Sequence, residues 1–348
     1  MKTQKLKFAI LAFGSVLFTS CTSLLYTSID VLRPAKVEFA MDANNLLIVN
    51  NSVKQPANMG HKTELYNEPA KNIHLATDSL SIFCLGALTE EIESRDFFSS
   101  VQLVPNSVNK THDFLRSREL TPQQVKNLCA SYHSNVVLSL DKIKVNDNLM
   151  ESYLDESSSF LGSLELQFET YWSIHYLDRP QVKTIQFNDT VSWESESYRR
   201  KKAFSDLPKR ADALIDGALN VGHKSVDQFI PHWEKADRYF YNSRNKLMKQ
   251  AMDSVYIKNW KAAISLWQTA ISKNGNAKIK SQAANNIAIA YEITGDLNKA
   301  LQYAQNSFLF MGEMTAVDFD SFRRLSDYIN DLTLRKKEAI VLNKQLGN

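Results

Sequence analysis

The spacing of apolar and polar residues divides the chain into two stretches of different period. In the first, apolar residues come in short runs or alternate with polar ones. Asn45-Leu-Leu-Ile-Val-Asn50, ending in Asn-Asn-Ser, predicts a buried strand and a turn. Val101–Val104 predicts the next strand and Val136–Leu140 a central one, with a phase shift between Leu140 and Ile143 of the kind a bulge makes. Leu164, Leu166, Phe168, Thr170, Trp172, Ile174 and Tyr176 alternate with polar residues, and Ile185, Phe187, Val191 and Trp193 repeat the pattern. That predicts one buried and one wet face, with Glu165, Gln167, Glu169 and His175 on the wet side. Helical spacing recurs in Leu80, Phe83, Leu85, Leu88 and Ile92, and again from Leu207 to Leu219. Thr121-Pro122-Gln-Gln124 supplies an N-cap, a proline in the first turn and a capping-box glutamine for a third helix carrying Val125, Leu128, Cys129 and Tyr132. The order β-α-β-α-β-β-β-α predicts a mixed sheet with helices mainly on one face, over residues 35–235.

The second stretch, residues 236–345, has a helical period throughout. Ala251 and Ala288, Trp260 and Leu297, and Ala263 and Ala300 each stand 37 residues apart. The second copy places Ala284, Ile287, Ala288, Tyr291, Gly295, Ala300, Leu301 and Ala304 at the positions of a tetratricopeptide repeat, whose usual period is about 34. Three extra residues are assigned to the Ser272–Lys280 connection. Helices over Trp233–Asn242 and from Phe319 to Leu342 are expected to cap the pair. The fold class is therefore α+β: a mixed sheet with helices, then an all-α repeat domain.

Met1 to Ser20 has the layout of an export signal. Lys2, Lys5 and Lys7 precede an apolar stretch from Phe8 to Phe18, too short for a spanning helix, which needs about 20 residues. Leu17-Phe18-Thr19-Ser20-Cys21 resembles a lipobox. That resemblance implies cleavage before Cys21, a diacylglycerol on its thiol and a palmitate-class acyl chain on its amine, with residues 21–34 as a tether. Thr22 and Ser23 follow the cysteine in place of the aspartate that resembles an inner-membrane retention signal, so the expected location is the outer membrane, facing the periplasm.

With the three leader lysines removed from 41 basic residues, 38 remain against 38 acidic ones, which predicts no affinity for nucleic acid. Gly and Pro contribute only 10 and 8 of 348 residues, against about 12% in an average protein, and no Gly-x-x-x-x-Gly-Lys phosphate cradle is present. The seven histidines never occur as His-x-x-x-His, and neither Cys-x-x-Cys nor Gly-x-Ser-x-Gly occurs. No catalytic residue, cofactor or metal is therefore assigned. Cys84 and Cys129 remain after acylation, either as a disulfide, which an oxidising compartment permits, or as buried thiols. Trp233, Arg238, Tyr239, Tyr241 and Arg244 form the candidate partner-binding patch, because Trp, Tyr and Arg dominate interface hot spots; interdomain packing is the alternative.

The element order of the first stretch is similar to the α/β domains of envelope lipoproteins of the curli-secretion and TolB amino-terminal type. Pore-forming members cross the membrane with apolar hairpins, whereas Glu165, Gln167 and Glu169 make the corresponding face here polar. Asp30-Val-Leu-Arg-Pro-Ala35, the segment Phe229 to Ser243 and the spacing of Trp260 and Trp267 resemble uncharacterised tetratricopeptide lipoproteins of Bacteroidota. That resemblance implies a fold and an envelope location, and brings no activity. The expected function is a non-enzymatic scaffold or recruitment factor binding an envelope protein or peptide, with the membrane held through the lipid. An enzyme acting on envelope polymers and a component of an oligomeric export assembly are the alternatives.

Overall fold

The structure is a computed structural model that describes residues 23–111, 113–116, 118–179, 182–273 and 276–347. The leader and Cys21 lie outside the described residues. In chain order the elements are β1 (Ser23–Arg33), β2 (Asn45–Asn50), β3 (His61–Glu64), β4 (Lys71–Asn72), α1 (Leu80–Ser94), β5 (Ser100–Val104), α2 (Pro122–Tyr132) and β6 (Val136–Leu154). There follow β7 (Ser159–Tyr176), β8 (Lys183–Ser197), α3 (Arg200–Ser205), α4 (Arg210–Ser225), β9 (His232–Asn242), α5 (Lys246–Tyr256), α6 (Trp260–Lys273), α7 (Ala277–Ile293), α8 (Leu297–Gly312) and α9 (Phe319–Gln345). The chain divides into two compact units, Arg33–His232 with Val341–Asn348, and Trp233–Ile340 with the described residues before Arg33. This division differs from the expected one, since the segment read as a tether and the segment read as a capping helix are the strands β1 and β9, paired in a two-stranded sheet.

The first unit is built on a mixed sheet. β2 is its parallel centre, flanked by β5 and by the first half of β6. The second half of β6 carries β3 in parallel on the same side, and β7 then β8 follow antiparallel on the other. The register shifts between Leu140 and Lys142, where the alternation changes phase. The path β2-α1-β5 runs one way across the sheet and β5-α2-β6 returns past β2 to the other side. Right-handed crossovers in opposite directions put α1 and α2 on opposite faces. Leu46, Ile48, Leu138 and Leu140 therefore pack with Cys84, Leu85, Leu88 and Ile92 of α1 and Leu214, Ala218 and Val221 of α4. Leu47, Val49 and Val137 pack with Val125 and Cys129 of α2. At Gly222 a Cβ would run into the backbone carbonyl of Cys84, so the closeness of α4 to α1 depends on that glycine.

This arrangement settles the cysteines. Both are buried free thiols, one on each side of the sheet, so the disulfide alternative is corrected. Burial without a charged partner pushes the Cys84 thiol up to about 12. His175 is also corrected. It is buried rather than wet, because the face of β7 opposite Val137 and Ser139 lies on the covered α2 side of the sheet.

In the second unit, successive helices pack as neighbours, α5 on α6, α6 on α7 and α7 on α8. Ala251, Ala263, Trp267, Ala270, Ala284, Ile287, Ala288, Ala300 and Ala304 are all fully buried, the small residues allowing close helix approach. Gly295 takes φ +87° in the turn between α7 and α8, a conformation that favours glycine.

Candidate binding faces

The helical unit contains a binding site that its own chain fills. α7 carries Asn285 and Asn286 in mid-helix, where polar side chains that compete for backbone are poor helix formers. Both point at β9. Asn286 Nδ2 donates to the Tyr241 carbonyl at 2.9 Å and its Oδ1 accepts from the Tyr241 N–H at 2.8 Å, while Asn285 Nδ2 donates to the Tyr239 carbonyl at 3.2 Å. Phe240 stacks on Trp260 and Trp267 at 6.3 and 5.9 Å between ring centroids. Every residue of α7 from Ser281 to Ala290 is buried, between β9 and the neighbouring helices α6 and α8.

A buried ion network lies nearly two turns further along. Arg238 Nε and Nη2 donate to Glu292 at 2.8 and 2.7 Å, and Arg238 also pairs with Asp331. The Tyr328 hydroxyl donates to Glu292 at 2.8 Å, Arg335 pairs with the same carboxylate, and the Arg238 guanidinium lies 5.0 Å over the Tyr328 ring. Burial, reinforced by the Glu292 charge, drives the Tyr328 phenol well above its ordinary value, so it stays a donor.

The predicted patch is thereby divided. Arg238, Tyr239 and Tyr241 are buried in the helical unit and offer no partner surface, whereas Trp233 and Arg244 are exposed, Trp233 by 68%. The aromatic run Tyr239-Phe240-Tyr241 carries high strand propensity, which was the available signal for β9.

The α/β unit has a crevice where ligands bind in open parallel sheets, outside the carboxyl ends of adjacent strands whose onward connections go to opposite faces. β2 leads through β3 and β4 to α1 and β5 leads to α2, so the crevice falls between their ends. Asn50 is its hub. Its Nδ2 donates to Ser81 Oγ at 3.1 Å and to the Pro105 carbonyl at 2.8 Å, and its Oδ1 accepts from Ser52 Oγ at 2.7 Å. Ser107 Oγ closes the other wall by donating to the Ser52 carbonyl at 2.8 Å, and a Lys54–Asp78 ion pair stands at the exposed rim. The cavity of about 150 Å³ is also lined by Gln55 and Thr77 and by Leu80, Ile82 and Ile143, so neutral hydroxyls and amides share it with apolar side chains. Sequence reading took Asn50-Asn51-Ser52 for an ordinary turn, since the crevice depends on where β5 ends.

Behind β2 lies a buried polar cluster. Asn51 Nδ2 and Ser139 Oγ donate to Asp141 Oδ1 at 2.7 and 2.8 Å, Ser173 Oγ donates to Oδ2, and His175 Nε2 stands 3.3 Å from Ser139 Oγ. Burial raises the Asp141 carboxyl pKa despite those donors, and burial lowers that of His175. Serine, histidine and aspartate meet here, but the aspartate holds the serine rather than orienting the histidine, and Ser139 is fully buried. The cluster fixes β2, β6 and β7 to one another. Towards the far end of β6, Asp147 pairs with His61 and accepts from Arg210 Nε at 2.5 Å, while Glu151 accepts from Arg200 at 2.6 and 2.7 Å. These two inward acids fasten α4 and α3 to the sheet. Among the described residues no three His, Cys, Asp or Glu side chains are grouped to hold a metal ion.

No curated protein matches the chain. A crystal structure of an uncharacterized protein aligns over 53% of this chain and 90% of its own at 9% identity, with a TM-score of 0.23, too remote a likeness to argue from. Residues 249–334, within the helical unit, match the domain of unknown function DUF6340. The α/β unit and β9, residues 43–241, match the domain of unknown function DUF8603, and the chain belongs to that family.

Proposed function

We propose that this protein is a membrane-anchored lipoprotein facing the periplasm, which acts as a non-enzymatic scaffold for envelope proteins. One observation carries the reading: β1 starts at Ser23, two residues past Cys21, and its Leu24 and Leu25 pack against the helical core. A lipid on Cys21 would thus be joined to folded structure without a tether, as suits a protein held at the membrane to position others. One surface open to a partner is on β8, which exposes every second side chain from Thr184 to Glu196 as a flat, polar face. A flat polar face fits a macromolecule better than a small ligand. Two measurements test this. Cys21→Ala should abolish incorporation of labelled palmitate and release the protein from membranes. A photocrosslinker at Gln186 or Trp233 in native envelopes should capture the same protein repeatedly, and repeated failure to capture one would refute the scaffold.

The crevice beside Asn50 favours a second reading, in which the α/β unit binds or cleaves a small polar fragment of an envelope polymer. Soluble glycan and peptide fragments should then show saturation transfer from the protein, lost in Ser52→Leu. An export assembly would instead require a ring, and a monomeric mass in detergent would end that alternative.

A further inference from the structure

We propose that an apolar ridge at the junction of α8 and α9 rests on the lipid bilayer that carries Cys21. The proposal builds on the acylation of Cys21 put forward above. Phe308, Leu309, Phe319 and Phe322 are 38%, 66%, 74% and 44% exposed, and the Phe308 and Phe322 rings touch at 5.5 Å between centroids. Single exposed hydrophobic residues are ordinary, whereas four at one helix junction, three of them aromatic and two in ring contact, mark a contact surface.

The chain leading to the anchor selects the occupant. Tyr26, three residues into β1, lies 6.4 Å from Tyr239, and the Arg324 guanidinium lies 5.5 Å over the same Tyr239 ring. Phe322 is two residues before Arg324 on α9, close to it along the helix axis but projecting from the other side. The start of β1 and the ridge therefore share one end of the helical unit, though not one face of α9. Cys21 and Thr22 can extend only about 7 Å, so acyl chains on Cys21 hold that end against the membrane surface. Aromatic and leucine side chains partition into that boundary layer. Charges beside the ridge are mainly acidic: Asp320 and Arg323 pair at 3.5 Å, and Glu313 and Asp318 face solvent. Contact then comes from apolar insertion rather than attraction to anionic headgroups, and should persist in about 1 M salt.

The test uses the full lipidated protein in vesicles of phosphatidylethanolamine and phosphatidylglycerol. Leu309→Cys carries an environment-sensitive fluorophore, with Lys261→Cys on α6 as the exposed control; Cys84 and Cys129 are buried and escape labelling. Both labelled sites are solvent-facing, so neither change threatens folding. Brominated lipids should quench position 309 roughly threefold or more beyond position 261, at low and high salt alike. Changing Phe319 and Phe322 to Ser should bring position 309 down to the control. Equal quenching at both positions overturns the proposal while leaving the anchor standing. Protection of position 309 in native envelopes but not in vesicles also overturns it, in favour of a protein partner. The intact mass at Cys21 reports separately on the anchor, so its failure cannot be mistaken for failure of the ridge.

Discussion

Asn286 binds the backbone of Tyr241 from both sides, accepting its N–H at 2.8 Å and donating to its carbonyl at 2.9 Å. A side-chain amide thus does for β9 what a neighbouring strand does on its other edge, where β1 pairs. The helical unit is organised around an extended segment of its own chain, held by the amides of α7.

Asn286→Ala should therefore destabilise the helical unit by about 2–4 kcal/mol, because a buried N–H and a buried carbonyl both lose their partner. Urea unfolding followed by helical circular dichroism measures this. A loss below about 0.5 kcal/mol would mean that the two Asn286 hydrogen bonds are not what holds β9 in place.

Glu292→Gln should cost about 3–5 kcal/mol. Arg238 and Arg335 would keep their charges in a buried site from which the carboxylate they share is gone. The midpoint of the same transition reports the change, and an effect within error would place the network in contact with water.

The two thiols should resist alkylation in the native state. With Cys84 fully buried and its thiol at about 12, iodoacetamide at about pH 8 should leave both unmodified until the protein is unfolded, and then modify both. A mass two hydrogens lighter before reduction would restore the disulfide.

Stability of the α/β unit should depend on His175. Burial lowers its folded pKa, so the unfolded chain takes up the proton first, and stability present above about pH 6.5 is lost as pH falls through the folded value. Asp141 acts in the opposite sense: its raised folded pKa makes stability fall as pH rises from about 4. His175→Gln should flatten the acid decline in denaturant titrations between about pH 5 and 7, and an unchanged slope would show that His175 does not set it.

Much of this could be read from residue order, and the remainder could not. Alternation along Leu164–Trp172, the phase change after Leu140, the Thr121–Gln124 capping box and the alanines of α5–α8 each report how one element meets its surroundings, and each has its counterpart in the structure. Pairing between distant segments leaves no such local mark. β1 and β9 are about two hundred residues apart; Tyr239-Phe240-Tyr241 marks β9 as strand-prone, but its pairing with β1 and its seat on Asn285 and Asn286 follow from the path of the chain. The same holds for Arg238, Tyr239 and Tyr241, whose types suit an interface and whose position makes them core. Cys84 and Cys129 fell on opposite faces because the crossovers around β2 run in opposite directions. Periodicity records which side of an element is buried, and only the path of the chain through space decides what buries it.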